Sequence, residues 1–197
     1  MNYPLIFENF INWKEVNYIL ALSLFFLFML FYSIFSLPGM LFFIVFAGYA
    51  FGIFWSYIIC LISLTFGSLC FFIISKYILS KLFKKYYTKY TSKINSFIKK
   101  STLEYLIIFR LIPGTPLLVQ NTILSLLNIS PYKFILSTSI GVSPIILFSI
   151  LVGHKINNIT NLNNITSKDI FSLDLFLILF VVIFLIVIRI FFKKKSN

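Results

Sequence analysis

The chain has 197 residues, of which 60% are apolar or aromatic and 11% charged, with a formal net charge of +12. A soluble domain carries about 25% charged residues, so this composition excludes a water-soluble globule and marks an all-α, polytopic integral membrane protein. The positive charge does not signal nucleic-acid binding: lysines flank apolar runs, as the positive-inside rule requires, and no nucleic-acid module surrounds them.

Val16 to Ser36 is a nearly uninterrupted apolar run of about 21 residues, enough for roughly 30 Å of helix and one bilayer crossing. The Leu37-Pro38-Gly39 break ends it. Met40 to Trp55 is shorter, contains Gly48 and Gly52, and reads as a broken helix or re-entrant hairpin. The GxxxG spacing of those glycines suggests close helix packing. Tyr57 to Tyr77 is again long enough to span, with Cys60 and Cys70 inside it as buried, inert thiols. From Leu79 to Lys100, apolar residues recur every three or four positions and Lys81, Lys84, Lys85 and Lys89 fill positions between them. This is the pattern of an amphipathic helix lying in the interface, lysines toward anionic headgroups.

Ser101-Thr102-Leu103-Glu104 has the capping-box pattern and opens the apolar run Tyr105 to Ile112. Pro113-Gly114-Thr115-Pro116 breaks that run, Leu117 to Leu127 resumes it, and Asn128-Ile129-Ser130-Pro131 ends it. With Ser130 as N-cap and Pro131 in the first turn, a spanning helix is expected to about Gly153. A polar loop from His154 to Asp169 and a last span from Ile170 to Phe192 complete a single membrane domain, residues 1–197. The lysine bias places the basic segment and both termini in the cytoplasm. That gives about four spanning helices plus two inverted re-entrant hairpins. A shift of 75 residues aligns Pro38-Gly39 with Pro113-Gly114 and Tyr57 with Tyr132, while Gly67 and Gly141 fall one residue out of register. An inverted repeat of broken helices is a transporter architecture, with its site where the broken pieces meet.

Arg110 is the most informative single residue. It lies inside an apolar run, where a charge costs about 2.5 to 3.5 kcal/mol even on lenient scales. A counter-ion, a substrate headgroup, exposed carbonyls or snorkelling to the near face would each answer that cost. Pro113, Gly114 and Pro116 free backbone groups that suit a protein-lined wet cavity. The amides of Gln120 and Asn121 can bond those groups or contact a ligand. Ser137-Thr138-Ser139 is expected to bond its own helix backbone. No catalytic triad, carboxylate pair, phosphate-binding loop or Cys/His cluster occurs in the sequence, so no enzyme chemistry, cofactor or metal is expected.

The run Phe109-Arg110-Leu111-Ile112-Pro113-Gly114-Thr115-Pro116 resembles the VTT-domain family, the SNARE-associated Golgi proteins that include bacterial DedA proteins. Asn121, Pro131-Tyr132, Gly141-Val142-Ser143-Pro144 and Gly153 continue the pattern. Upstream, Leu37-Pro38, Ala47-Gly48, Phe51-Gly52, Gly67-Ser68 and Phe72 to Tyr77 fit as well, so the resemblance covers about residues 36–157. It is nearest a bacterial branch akin to a yeast member. The resemblance implies two facing re-entrant hairpins and a role in moving phospholipids or lipid-phosphates between leaflets, in the plasma membrane if the source is bacterial. Lys76 stands where the family often has Arg, and Ser125 and Leu127 replace a usual Gly and Thr. The membrane-embedded acidic residue linked to proton coupling in DedA proper is missing. The expected reading is a lipid flippase or scramblase. Its ligand-binding residues are Arg110, Pro113, Gly114, Pro116, Gln120 and Asn121, its partners membrane lipids with anionic headgroups, and self-association is left open. The alternatives are a membrane-organising protein acting through the lysine-rich helix and a small-solute or ion transporter.

Overall fold

The computed structural model describes residues 9, 12–82, 103–111, 115–127 and 129–157. The segments bearing Lys84, Lys85, Lys89, Pro113, Gly114, the loop after residue 157 and the last expected span lie outside the described residues, as does the side chain of Lys81. Six helices carry the rest: α1 Tyr18–Ile34, α2 Met40–Phe51, α3 Ile53–Leu82, α4 Leu103–Leu111, α5 Leu117–Leu126 and α6 Pro131–Asn157.

Each boundary has a local cause. Ser36 sits in the left-handed region at φ 49° and Gly39 at φ 88°, so α1 cannot continue into α2. Gly52, at φ 75°, turns the chain between α2 and α3 within one residue. Ser130 caps α6 as expected: its Oγ accepts from the Lys133 N–H at 3.3 Å. Two boundaries differ from the sequence reading. Helix α3 runs on through Leu82, so the expected interfacial helix does not begin afresh at Leu79. Helix α6 continues past Gly153 to Asn157, taking His154 and Lys155 into its last turn. Gly153 is a packing residue and not a terminator, because a Cβ there would lie 1.9 Å from the Val45 carbonyl oxygen.

Helices α3 and α6 are long and apolar enough to cross a bilayer. At 1.5 Å per residue, the 12 residues of α2 and the 10 of α5 reach only about 18 and 15 Å, short of a hydrocarbon core of about 30 Å. Neither helix can cross a bilayer by itself, which agrees with the broken-segment reading. Exposed side chains such as Ile19, Phe31, Phe42, Phe54 and Tyr132 give the fold an apolar outer surface suited to lipid. Cys60 is buried, but Cys70 faces outward, contrary to expectation.

The six helices form two units, α1–α2–α3 and α4–α5–α6. In the first, Gly67 of α3 seats α1: an added Cβ would lie 2.3 Å from Ser33 Cβ and 2.8 Å from the Leu30 carbonyl oxygen. In the second, Gly141 of α6 seats α4 in the same way, against Arg110 Cβ at 2.4 Å and the Ile107 carbonyl oxygen at 3.1 Å. The two long helices run antiparallel, since Phe72 stacks on Phe134 while the earlier Tyr57 hydrogen-bonds the later Ser143 at 2.6 Å. The long helices of the two units thus run in opposite directions, with Ser33 and Arg110 each seated on a glycine of the long helix in its own unit. The units also interlock. Helix α2 lies on α6, where a Cβ on Gly48 would meet the Ile150 carbonyl oxygen at 2.2 Å. Helix α5 lies on α3, with Ser75 and Ser125 hydroxyls 3.0 Å apart.

Candidate functional site: a buried arginine between the two units

Arg110 ends the short helix α4, and the bare backbone at Gly141 lets its Cβ and Cγ lie flat on α6. The side chain then runs toward the start of α6, where the guanidinium carbon stands 4.9 Å from the Phe134 ring centroid. Phe134 is itself stacked on Phe72 of α3 at 4.4 Å. Arg110 is only 4% exposed.

Gln120, the fourth residue of α5, fixes one side of that guanidinium. Its Oε1 accepts from Arg110 NH1 at 3.4 Å. Its Nε2 donates to the Phe109 carbonyl at 3.4 Å and to Thr115 Oγ1 at 2.5 Å. The amide thereby ties the end of α4 to the start of α5 across the break. Arg110 Nε and NH2, by contrast, are buried and find no hydrogen-bond partner among the described residues. These two atoms form one edge of the planar guanidinium, with parallel donors that fit two oxygens of one phosphate or carboxylate.

The contacts among the described residues offset the cost of that burial with only part of the guanidinium's hydrogen-bonding capacity. Burying an isolated cation costs several kcal/mol even after relaxation. A desolvated cation–ring contact returns about 2 kcal/mol, and one hydrogen bond from a charged donor about 1.5 to 3 kcal/mol. Among the described residues the Nε/NH2 edge has no acceptor, and an anion would satisfy it.

Asn121, wholly buried beside Gln120, points the other way along the protein. Its Nδ2 donates to Ser36 Oγ at 2.9 Å, joining α5 to the break that follows α1. Its Oδ1 has no partner among the described residues. Three of the expected ligand-binding residues, Arg110, Gln120 and Asn121, are thus buried at the junction of the two units. Gln120, however, holds Arg110 and the chain break, and Pro116 is exposed at the N-cap of α5. Pro113 and Gly114 lie outside the described residues. The sequence reading did not anticipate Phe134 or Ser36. Phe134 could have been found, because it stands seven residues before Gly141 and so shares its helix face. Ser36 carries no comparable signal.

Two interlocked, inverted units of broken helices around a buried, half-partnered cation define an integral membrane protein with a polar site inside its apolar body. The VTT domain model matches residues 37–155, more than half of the chain. The chain belongs to the VTT-domain family. It is similar to a protein of Dictyostelium discoideum described as a transmembrane protein 41 homolog, with 27% identity over 188 residues, covering 93% of this chain and 54% of that protein. The chain therefore spans about half the length of that relative. No solved structure matches it.

Proposed function

We propose that the chain carries lipids with phosphate-bearing headgroups from one leaflet to the other, with Arg110 receiving the phosphate between the two units. The observation that carries this reading is the free Nε/NH2 edge of a buried guanidinium whose partners are a neutral amide and a ring. An ordinary structural arginine has its donors satisfied. The short helices α2 and α5 add support, since helix ends within the membrane are tolerated where they line a polar path. Membership of the VTT-domain family agrees with such a role.

Leaflet exchange of a labelled anionic phospholipid in liposomes tests the proposal, at matched insertion of each variant. Arg110→Ala is expected to abolish most exchange. Arg110→Lys keeps the charge but loses the planar fork and should fall at least tenfold, as the loss of one charge-assisted hydrogen bond of about 1.5 to 3 kcal/mol implies. Exchange at the wild-type rate from Arg110→Ala, together with an inactive Lys84→Ala/Lys85→Ala double variant, would transfer the role to the lysine-rich segment.

A further inference from the structure

Ser137, Thr138 and Ser139 stand together on α6, and the sequence assigns all three to the backbone of their own helix. Two of them behave so: Ser137 Oγ donates to the Phe134 carbonyl at 3.1 Å and Ser139 Oγ to the Leu136 carbonyl at 3.3 Å. Thr138 does not. It is 0% exposed, and its Oγ1 has no hydrogen-bond partner among the described residues.

Its position explains why that hydroxyl matters. Residues 134, 138 and 141 of a helix lie in one row on one face. Arg110 is pinned at both ends of that row, its Cβ against Gly141 and its guanidinium over the Phe134 ring. The arginine side chain therefore runs past Thr138. A hydroxyl without a partner among the described residues thus stands on the helix face along which Arg110 lies, and the Nε/NH2 edge of that arginine is likewise without one. Thr65 and Ser68 of α3 are also buried hydroxyls without partners, but no contact places either of them at Arg110.

We propose that the Thr138 hydroxyl is a third donor to the anion held by Arg110, and that it selects a tetrahedral phosphoryl group over a planar carboxylate. The inference rests on the reading of Arg110 given above. The Nε/NH2 edge takes one lone pair on each oxygen of a carboxylate, and the lone pairs that remain lie in the carboxylate plane. A phosphoryl group offers a further oxygen out of that plane, which a donor on the α6 face can reach. Thr138 thus sets specificity, while Arg110 supplies the charge.

Binding to the purified full chain in detergent tests this, using dioctanoyl phosphatidic acid, inorganic phosphate and octanoate as probes. Thr138→Val preserves shape and removes the hydroxyl. It is expected to weaken phosphatidic acid binding about tenfold, the usual cost of one hydrogen bond to a charged group, and to leave octanoate binding unchanged. Thr138→Ser restores the hydroxyl and should restore the discrimination. Thr138→Ala makes the same deletion if the valine variant fails to accumulate. A loss for inorganic phosphate equal to that for phosphatidic acid identifies the phosphoryl group alone as the recognised part. A loss confined to phosphatidic acid means that the seat is reached only by a lipid. Unchanged phosphatidic acid binding in the hydroxyl-free variants, or an equal loss for octanoate, overturns the assignment of Thr138. Undiminished binding by Arg110→Ala overturns the reading on which it rests.

Discussion

Six described glycines touch other helices or turn the chain in different ways, and the differences set what an alanine would do. At Gly141 an added Cβ falls 2.4 Å from Arg110 Cβ and 3.1 Å from a carbonyl oxygen. Neither atom is the free end of a flexible chain, so α4 must move off α6 and carry the guanidinium with it. Gly141→Ala is expected to cost about 1 to 3 kcal/mol by overpacking and to weaken anion binding with it. At Gly52 the same methyl meets nothing within 4 Å, and only the backbone at φ 75°, ψ −180° opposes it, so Gly52→Ala should cost about 1 to 3 kcal/mol and leave binding alone. Unfolding in detergent, run beside phosphatidic acid binding, separates the two; equal losses of binding in both variants would refute the geometry. The sequence offered Gly48 and Gly52 as a GxxxG pair. Gly48 does pack closely, but its counterpart in the contact is Gly153 on another helix, because periodicity shows which face is small and not which helix will cover it.

At the scale of elements, the breaks were legible and their joining was not. Pro38-Gly39 and Pro113-Gly114 stand out in any apolar sequence, since each breaks an apolar run and frees backbone groups that lipid cannot satisfy. That the two broken segments meet through Asn121 and Ser36 required the fold, because a serine after an apolar run has no signal of its own. Ser36 is held at φ 49°, a conformation that costs a non-glycine residue about 1 kcal/mol or more. The hydrogen bond from Asn121 is one of the contacts that keeps it there. A double-mutant cycle on Ser36→Ala and Asn121→Ala should therefore give a coupling of roughly 0.5 to 1.5 kcal/mol, in the range of buried hydrogen bonds between membrane helices. Additive losses would mean that the two residues are neighbours without dependence.

For the whole molecule, composition sufficed for the class, because charge is costly in hydrocarbon, and lysine placement supplies an expected orientation for labelling to test. The inverted repeat was visible as a few aligned residues, and the structure gives it a physical basis in Gly67 and Gly141 seating α1 and α4 alike. Since α3 and α6 run antiparallel, Lys76 near the end of α3 and Pro131 at the start of α6 lie toward the same side. The residues following Asn157 are then expected on the opposite, outer side. Labelling of a single cysteine at Asn161, in a chain lacking Cys60 and Cys70, should proceed with an impermeant reagent applied from outside. Reaction only from the cytoplasmic side would reverse the orientation.

The interlock of the units has a consequence for how the chain is made. Gly48 of α2 finds its bearing surface in the backbone of α6, and roughly 80 residues must still be synthesised after Phe51 before α6 begins. At about 5 to 20 residues per second, α2 waits on the order of ten seconds. Throughout that interval a helix too short to cross the bilayer has only α1, α3 and lipid beside it. A ribosome that stalls before Pro131 releases a product that has Gly48 but lacks the helix, Ile150 and Gly153 included, on which α2 seats. Newly made chains of this kind are natural clients for whatever machinery shelters half-inserted helices, and the vulnerable period ends only when the sixth helix arrives.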